Sequence, residues 1–270
     1  MNGNPIFDSK NQAQAWGTKQ SQNPVGFQNA PQMSASQLED MYRQPSATGA
    51  DTGRMTIGDV INKTILTLAL VAVGAGIGWM FPALMLVGAI VGLVLGLVNA
   101  FKKMPSPPLI LAYALAEGLF LGGLSQALNS LYPGVAVQAL VASIAVAATT
   151  LALYRSGKYR MTPKLNKMFF VAMIGMLVFS LLNFVLMLTG AVDGMFGLRS
   201  AGGGMLGLAI GVLAVLLATY ALVSDFTMIE DLSNRGAPAI MAWRGAFGLT
   251  MTLIWMYVEI LRILSILREQ

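Results

Sequence analysis

Seven stretches of the chain are apolar almost throughout, and short polar segments separate them. They run over about Thr64–Met80, Ala83–Phe101, Leu109–Leu128, Val135–Tyr154, Met168–Thr189 and Met205–Ile229, with the last lying within Ala239–Leu267. Each can supply the roughly 20 residues that cross a ~30 Å hydrocarbon core at 1.5 Å per residue. Inside lipid the backbone has no water to bond to, so continuous runs of this length are expected to be helices. The pattern therefore predicts an all-α integral membrane protein with seven transmembrane helices over residues 54–270. Residues 1–53 read differently. They are polar, rich in Asn, Gln, Ser and Gly, and have no apolar core of the signal-peptide kind. They carry too few apolar residues to offset the entropy of ordering, so a disordered cytoplasmic tail is expected.

Composition agrees with the pattern. Hydrophobic residues make up 56% of the 270 and charged residues 11%, against about 25% charged in a soluble domain. The chain has no Cys and no His, which removes disulfides, thiolate chemistry and imidazole bases or metal ligands. The net charge of +5 suggests membrane topology and no nucleic-acid partner. Lys63, the Lys102/Lys103 pair and the loop bearing Arg155, Lys158, Arg160, Lys164 and Lys167 fall on one side if seven helices alternate, while the opposite loops hold only Arg199 as a base. By the positive-inside rule the N-terminus is expected in the cytoplasm, and the expected location is the cell (cytoplasmic) membrane. Full crossing of the seventh helix would put the C-terminus outside. A re-entrant last helix would return it, and with it the arginines of Arg262–Gln270.

Glycines recur every fourth residue at Gly74/Gly78, Gly88/Gly92/Gly96, Gly118/Gly122 and Gly203/Gly207/Gly211. Such stripes let helix backbones approach, and packing is what drives association in lipid.

Only three carboxylates lie well inside apolar runs: Glu117, Asp225 and Glu259. A charge at the bilayer centre costs at least about 2.5 kcal/mol, so each is a candidate functional site. Glu117 is expected near mid-membrane, and Asp225 on the cytoplasmic half, about ten residues before the turn at Gly236-Ala-Pro238. Glu259, counted from Ala239, would lie about 30 Å along the seventh helix and far from Asp225. A bend between Trp243 and Gly248, where Gly245 and Gly248 allow one, would bring Glu259 level with Asp225. The two acids would then share a proton and form a pH-sensing latch, whose charged form is a candidate Ca²⁺ site completed by backbone carbonyls and water. The opposing expectation is structural: Arg262 follows Glu259 by three residues on the same face and neutralises it, leaving Asp225 to cap the cytoplasmic end.

The sixth-helix motif Tyr220-Ala-Leu-Val-Ser-Asp225 and the last-helix motif Leu253-Ile-Trp-Met-Tyr-Val-Glu-Ile-Leu261, within a seven-helix layout, resemble the Bax inhibitor-1 family, which includes bacterial YccA-like proteins. The likeness covers about Arg54–Arg268. The polar tail and Glu117-Gly118 look most like its actinobacterial branch. The resemblance implies six helices surrounding a central seventh, and an acidic pair on the last two helices that latches a cation leak, chiefly for Ca²⁺. Asp225 matches the first acid of that pair. Glu259 stands where the family usually has Asp, Arg262 where it has a neutral polar residue, and Gly92 where some bacterial relatives carry a Glu whose role Glu117 would assume. The expected function is a pH-sensitive cation leak channel, with Asp225 and Glu259 as the latch and Glu117 and Arg262 as pathway or pairing groups. The alternative is a non-transporting regulator that binds other membrane proteins, such as a membrane protease. No nucleophile elbow, phosphate loop or metal-ligand cluster points to an enzyme, and no cofactor is expected.

Overall fold

The computed structural model describes residues 53–157, 162–192, 194, 196–200 and 204–269. The expected tail up to residue 52 lies outside the described residues, as do Lys158 and Arg160 of the basic loop, Asp193, and Gly203 of the last glycine stripe.

Seven α-helices form among the described residues: α1 Ile57–Met80, α2 Leu84–Phe101, α3 Pro107–Leu131, α4 Val135–Arg155, α5 Pro163–Leu188, α6 Gly204–Asn234 and α7 Ala242–Glu269. All seven are long and apolar enough to cross a membrane, rising about 27 to 46 Å at 1.5 Å per residue. Local signals set their ends. Thr56 caps α1 in a reciprocal box: its hydroxyl accepts from Asp59 N at 3.1 Å while its own N–H donates to the Asp59 carboxylate at 3.2 Å. Pro107 and Pro163 open α3 and α5, where a missing N–H costs nothing. Gly236 at φ 66 breaks the chain after α6, and Pro238 begins the 3₁₀ turn Ala239–Met241 that leads into α7.

The glycine stripes expected from sequence assemble as close helix contacts. On α1 and α3, Gly74 faces Gly118 and the Leu115 carbonyl, Gly78 faces Leu119, and Gly122 faces the Ala75 and Trp79 backbone. The α2 stripe also packs on α3, with Gly88 against Ala116 and Phe120, and Gly96 against Tyr113.

α7 is the central helix. Its principal neighbours are α1, α3, α4 and α6, while α2 packs mainly on α3 and α5 mainly on α6 and the turn Gly197–Arg199. Thr250 bonds Thr67 of α1 at 2.7 Å, and Tyr257 bonds Ser125 of α3 at 2.6 Å. An apolar core of Leu124, Leu128, Val135, Ala218, Leu222, Met256 and Leu261 fills the space between α3, α4, α6 and α7. The outer faces of the peripheral helices keep large apolar side chains exposed, as Leu93, Ile144 and Leu177 do, which is the surface a bilayer covers. α7 crosses the whole bundle: Arg268 near its end donates to Gln138 in the second turn of α4, at 3.0 Å. A re-entrant last helix is thus not what forms.

The described bases Lys63, Lys102, Lys103, Arg155, Lys164, Lys167 and Arg235 all fall at the end where α1 begins and α6 finishes. That end is called the basic end below, and the opposite one the far end.

Candidate functional site

Asp225 sits on α6 near the basic end, two and a half turns before the helix stops at Asn234. Thr252 of α7 donates its hydroxyl to the Asp225 carboxylate at 2.6 Å. The other carboxylate oxygen lies against Gly248: a Cβ built on that glycine would be 2.9 Å from it. Asp225 faces a cavity of about 220 Å³, lined also by Asn99, Lys102, Pro105, Arg244 and Phe247. Four elements supply this lining, the end of α2, the start of α3, α6 and the start of α7. The Asn99 side-chain oxygen is buried there without a hydrogen-bond partner, and Arg244 donates to the Lys103 carbonyl at 3.3 Å. The cavity is thus lined by one carboxylate, two cationic side chains and one amide among mostly apolar residues.

Glu259 is elsewhere. α7 is one continuous helix from Ala242, and the bend expected between Trp243 and Gly248 does not form. The physical reason is that its two glycines are used for contact. A Cβ on Gly245 would lie 2.9 Å from Ile229 and 3.0 Å from Val60, and Gly248 makes room for the Asp225 carboxylate. Glu259 consequently lies seven residues, about 10 Å of helix rise, beyond the Thr252 that holds Asp225. The two acids do not share a site, so the shared proton and the joint Ca²⁺ site expected of them are not formed in this structure. Among the described residues no three acidic side chains converge as metal ligands either.

At the far end Glu259 is held by cations. Arg262 pairs with it, through Nε at 3.2 Å and through a second guanidinium nitrogen, and Arg199 pairs with it from the α5–α6 loop. Trp255 adds a donor at 3.2 Å. Arg262 and Glu259 are 1% and 3% exposed, an unusual depth for charged groups unless they are paired. Arg262 also donates to the carbonyls of Arg199 and Gly207, at 3.1 and 3.2 Å. The intrahelical Glu259–Arg262 pair expected from their spacing is thus present. Arg199 was visible in the sequence only as the one base of the far loops. Nothing in the linear pattern ties it to a glutamate sixty residues on.

Asn183 explains how Arg199 gets there. It is the one buried residue described on α5. Its amide donates to the Phe196 carbonyl at 3.0 Å and accepts from Leu198 N at 2.7 Å. Between those two residues Gly197 takes φ 57, and a Cβ there would lie 2.6 Å from the Asn183 oxygen. Only glycine suits that backbone and that contact. The 3₁₀ turn Gly197–Arg199 is thereby pinned with Arg199 directed inward.

Glu117 lies on α3 between these two ends. Its carboxylate rests in the slot left by Gly92 of α2, where a Cβ would stand 2.8 Å away. The third-helix acid thus packs against the second helix at Gly92. Among the described residues it has no hydrogen-bond or ion-pair partner. Glu230 and Asp231 are ordinary helix-end groups: Glu230 accepts from Tyr154, and Asp231 pairs with Arg235 at 3.5 Å.

A protein-family model described as Bax inhibitor 1 like matches residues 4–269. The match starts well before Arg54, so it takes in the polar segment that the motif resemblance left out. The comparison with curated proteins gives no match.

Proposed function

The chain belongs to the Bax inhibitor 1 like family, and on that premise we propose that it is a pH-sensitive cation leak of the cytoplasmic membrane, with Ca²⁺ as the chief cargo. The observation that carries this reading is the placement of Asp225: an acid in a membrane-spanning helix, bonded by one hydroxyl and facing a cavity of about 220 Å³. An acid kept in that position is costly unless it has a use. Ionised, it offsets part of the charge of Lys102 and Arg244, which line the same cavity, and so lowers the barrier to a cation entering from the basic end, which the positive-inside rule assigns to the cytoplasm.

Glu117 is the next acid inward. Asn99 to Gly92 on α2 and Ile110 to Glu117 on α3 are each seven residues, so the step from the cavity to Glu117 is about 10 Å along the α2–α3 seam. Its unpartnered carboxylate supplies oxygens to a partly dehydrated cation. Hard cations such as Ca²⁺ select oxygen ligands, with carbonyls and water completing the shell. Protonation of Asp225 leaves Lys102 and Arg244 uncompensated and raises the barrier to the ion, and this makes the flux respond to pH. Asp225 and Glu259 thus act separately, Asp225 at the entrance and Glu259 within the ion cluster at the far end.

The test is Ca²⁺ flux into liposomes holding the full chain, measured against pH for the wild type and Asp225→Asn. The variant mimics the protonated acid permanently. Its flux should be flat with pH and equal to the wild-type value at the acid limit. A wild type that passes no Ca²⁺ at any pH removes the leak, and an unchanged pH profile in Asp225→Asn removes Asp225 as its sensor.

A further inference from the structure

Among the described residues the far-end cluster holds two cations and one anion. Arg199 and Arg262 both pair with Glu259, so the cluster carries a net positive charge in a region where Glu259 and Arg262 are all but sealed from solvent. The two arginines are not equivalent. Arg262 is rooted in the central helix, and Glu259 with two backbone carbonyls accepts from its guanidinium. Arg199 enters from a loop, is 15% exposed, and pairs through a terminal guanidinium nitrogen with Glu259. Its Nε–H is buried with no acceptor among the described residues. Had Glu259 required only neutralisation, Arg262 would suffice. Among the described residues the second cation leaves a donor unsatisfied and a charge uncompensated, both of which are costly in a dry site. The fold nonetheless spends the one buried residue described on α5, Asn183, on holding the turn that delivers it.

We infer that Arg199 is a tethered cationic plug that closes the far end of the pathway to cations, and that Asn183 is the residue that positions it. This rests on the cation leak proposed above and adds what restrains it. A cation leaving the Glu117 region for the far end meets the field of Arg199 and Arg262, only half cancelled by Glu259, in a low-dielectric setting where like charges repel strongly. Withdrawal of Arg199 leaves Arg262 and Glu259 as a neutral pair and removes the barrier. The mobile partner is the loop arginine, because α7 cannot give up Arg262 without losing its packing on α6, where Gly211 lies against Ile263 and the Arg262 guanidinium.

The experiment compares Ca²⁺ and chloride flux in liposomes for the wild type, Arg199→Gln, Arg199→Lys and Asn183→Ala, each as the full chain. Arg199→Gln should raise Ca²⁺ flux roughly tenfold or more, the factor that 1.36 kcal/mol of barrier represents, with no rise in chloride flux. Arg199→Lys keeps the charge and should stay near the wild type. Asn183→Ala keeps all three charges, should raise Ca²⁺ flux in the same direction, and carries the test alone if Arg199→Gln does not assemble. A general loosening of the bundle would pass chloride as readily as Ca²⁺, and that result overturns the plug. So does a conducting wild type whose flux Arg199→Gln leaves unchanged, or equal gains in the Gln and Lys variants. An unchanged Asn183→Ala overturns the positioning role. If none of the four proteins passes Ca²⁺, the leak itself is refuted and the plug with it, an outcome distinct from all the others.

Discussion

Glu259→Gln and Arg262→Met each delete one charge from the same buried ion pair, and a simple two-body pair would make them equally damaging. The structure predicts that they differ. Glu259 accepts from Arg199, from Arg262 and from the Trp255 indole. Replacing it by the isosteric Gln leaves two guanidinium charges converging on a neutral amide, one of them 1% exposed. Breaking a buried pair in this way costs about 3–5 kcal/mol, because the remaining charge is stranded. Arg262→Met has the opposite consequence. Glu259 keeps Arg199 and Trp255, the cluster becomes formally neutral, and the unbranched Met fills much of the space of the arginine stem. What is lost is donation to the Arg199 and Gly207 carbonyls, worth about 1–3 kcal/mol for acceptors left unsatisfied. Glu259→Gln should therefore be the less stable protein by about 2 kcal/mol. At about 2–4 °C per kcal/mol for a domain of this size, that is a gap of roughly 4–8 °C. Thermal unfolding of both variants in the same detergent, followed by the helical circular dichroism band, measures it. If Arg262→Met melts at or below Glu259→Gln, Arg199 is not a working partner of Glu259 and the account of the cluster is wrong.

Two further predictions concern packing and the Asp225 cavity. Gly74→Ala and Gly92→Ala should differ although both are small residues at helix contacts. A Cβ at Gly74 meets backbone, 2.5 Å from the Leu115 carbonyl, whereas one at Gly92 meets the end of the Glu117 side chain at 2.8 Å. The first should cost about 1–3 kcal/mol of stability by overpacking and the second under about 1, because a side chain can move aside; equal losses in unfolding experiments would contradict this. Thr252→Val deletes the hydroxyl that bonds Asp225, a bond to a charged group worth about 1.5–3 kcal/mol. It should shift the pH profile of Ca²⁺ flux without abolishing it, and an unaltered profile would show that the bond does not bear on Asp225.

The fold was legible because lipid leaves the backbone few options. Apolar runs such as Met168–Thr189 can only be helices there, and the Gly74/Gly78 and Gly118/Gly122 spacing marks faces that must meet something flat. The individual acids were legible too, since Glu117 and Asp225 stand out against their apolar neighbours. Their partners were not. The expectation that Glu259 would meet Asp225 relied on a bend at Gly245 and Gly248, but a glycine in a membrane helix serves close approach as readily as bending, and spacing does not distinguish the two. Arg199 was hidden for another reason. Its path to Glu259 depends on one αL glycine at Gly197 and one asparagine on a lipid-facing helix, a geometry that only the folded loop displays.

Of the seven described helices the central one is made last. Thr67 finds Thr250 across 183 residues, Ser125 finds Tyr257 across 132, and Arg199 finds Glu259 across 60. During synthesis six helices must enter the bilayer before the one that organises them exists, and until then α1, α3 and the α5–α6 loop hold polar groups toward an unfilled axis. The contacts that close the bundle around its axis therefore wait for α7. A chain that stops before Ala242 does not lose an end of the protein; it loses the middle.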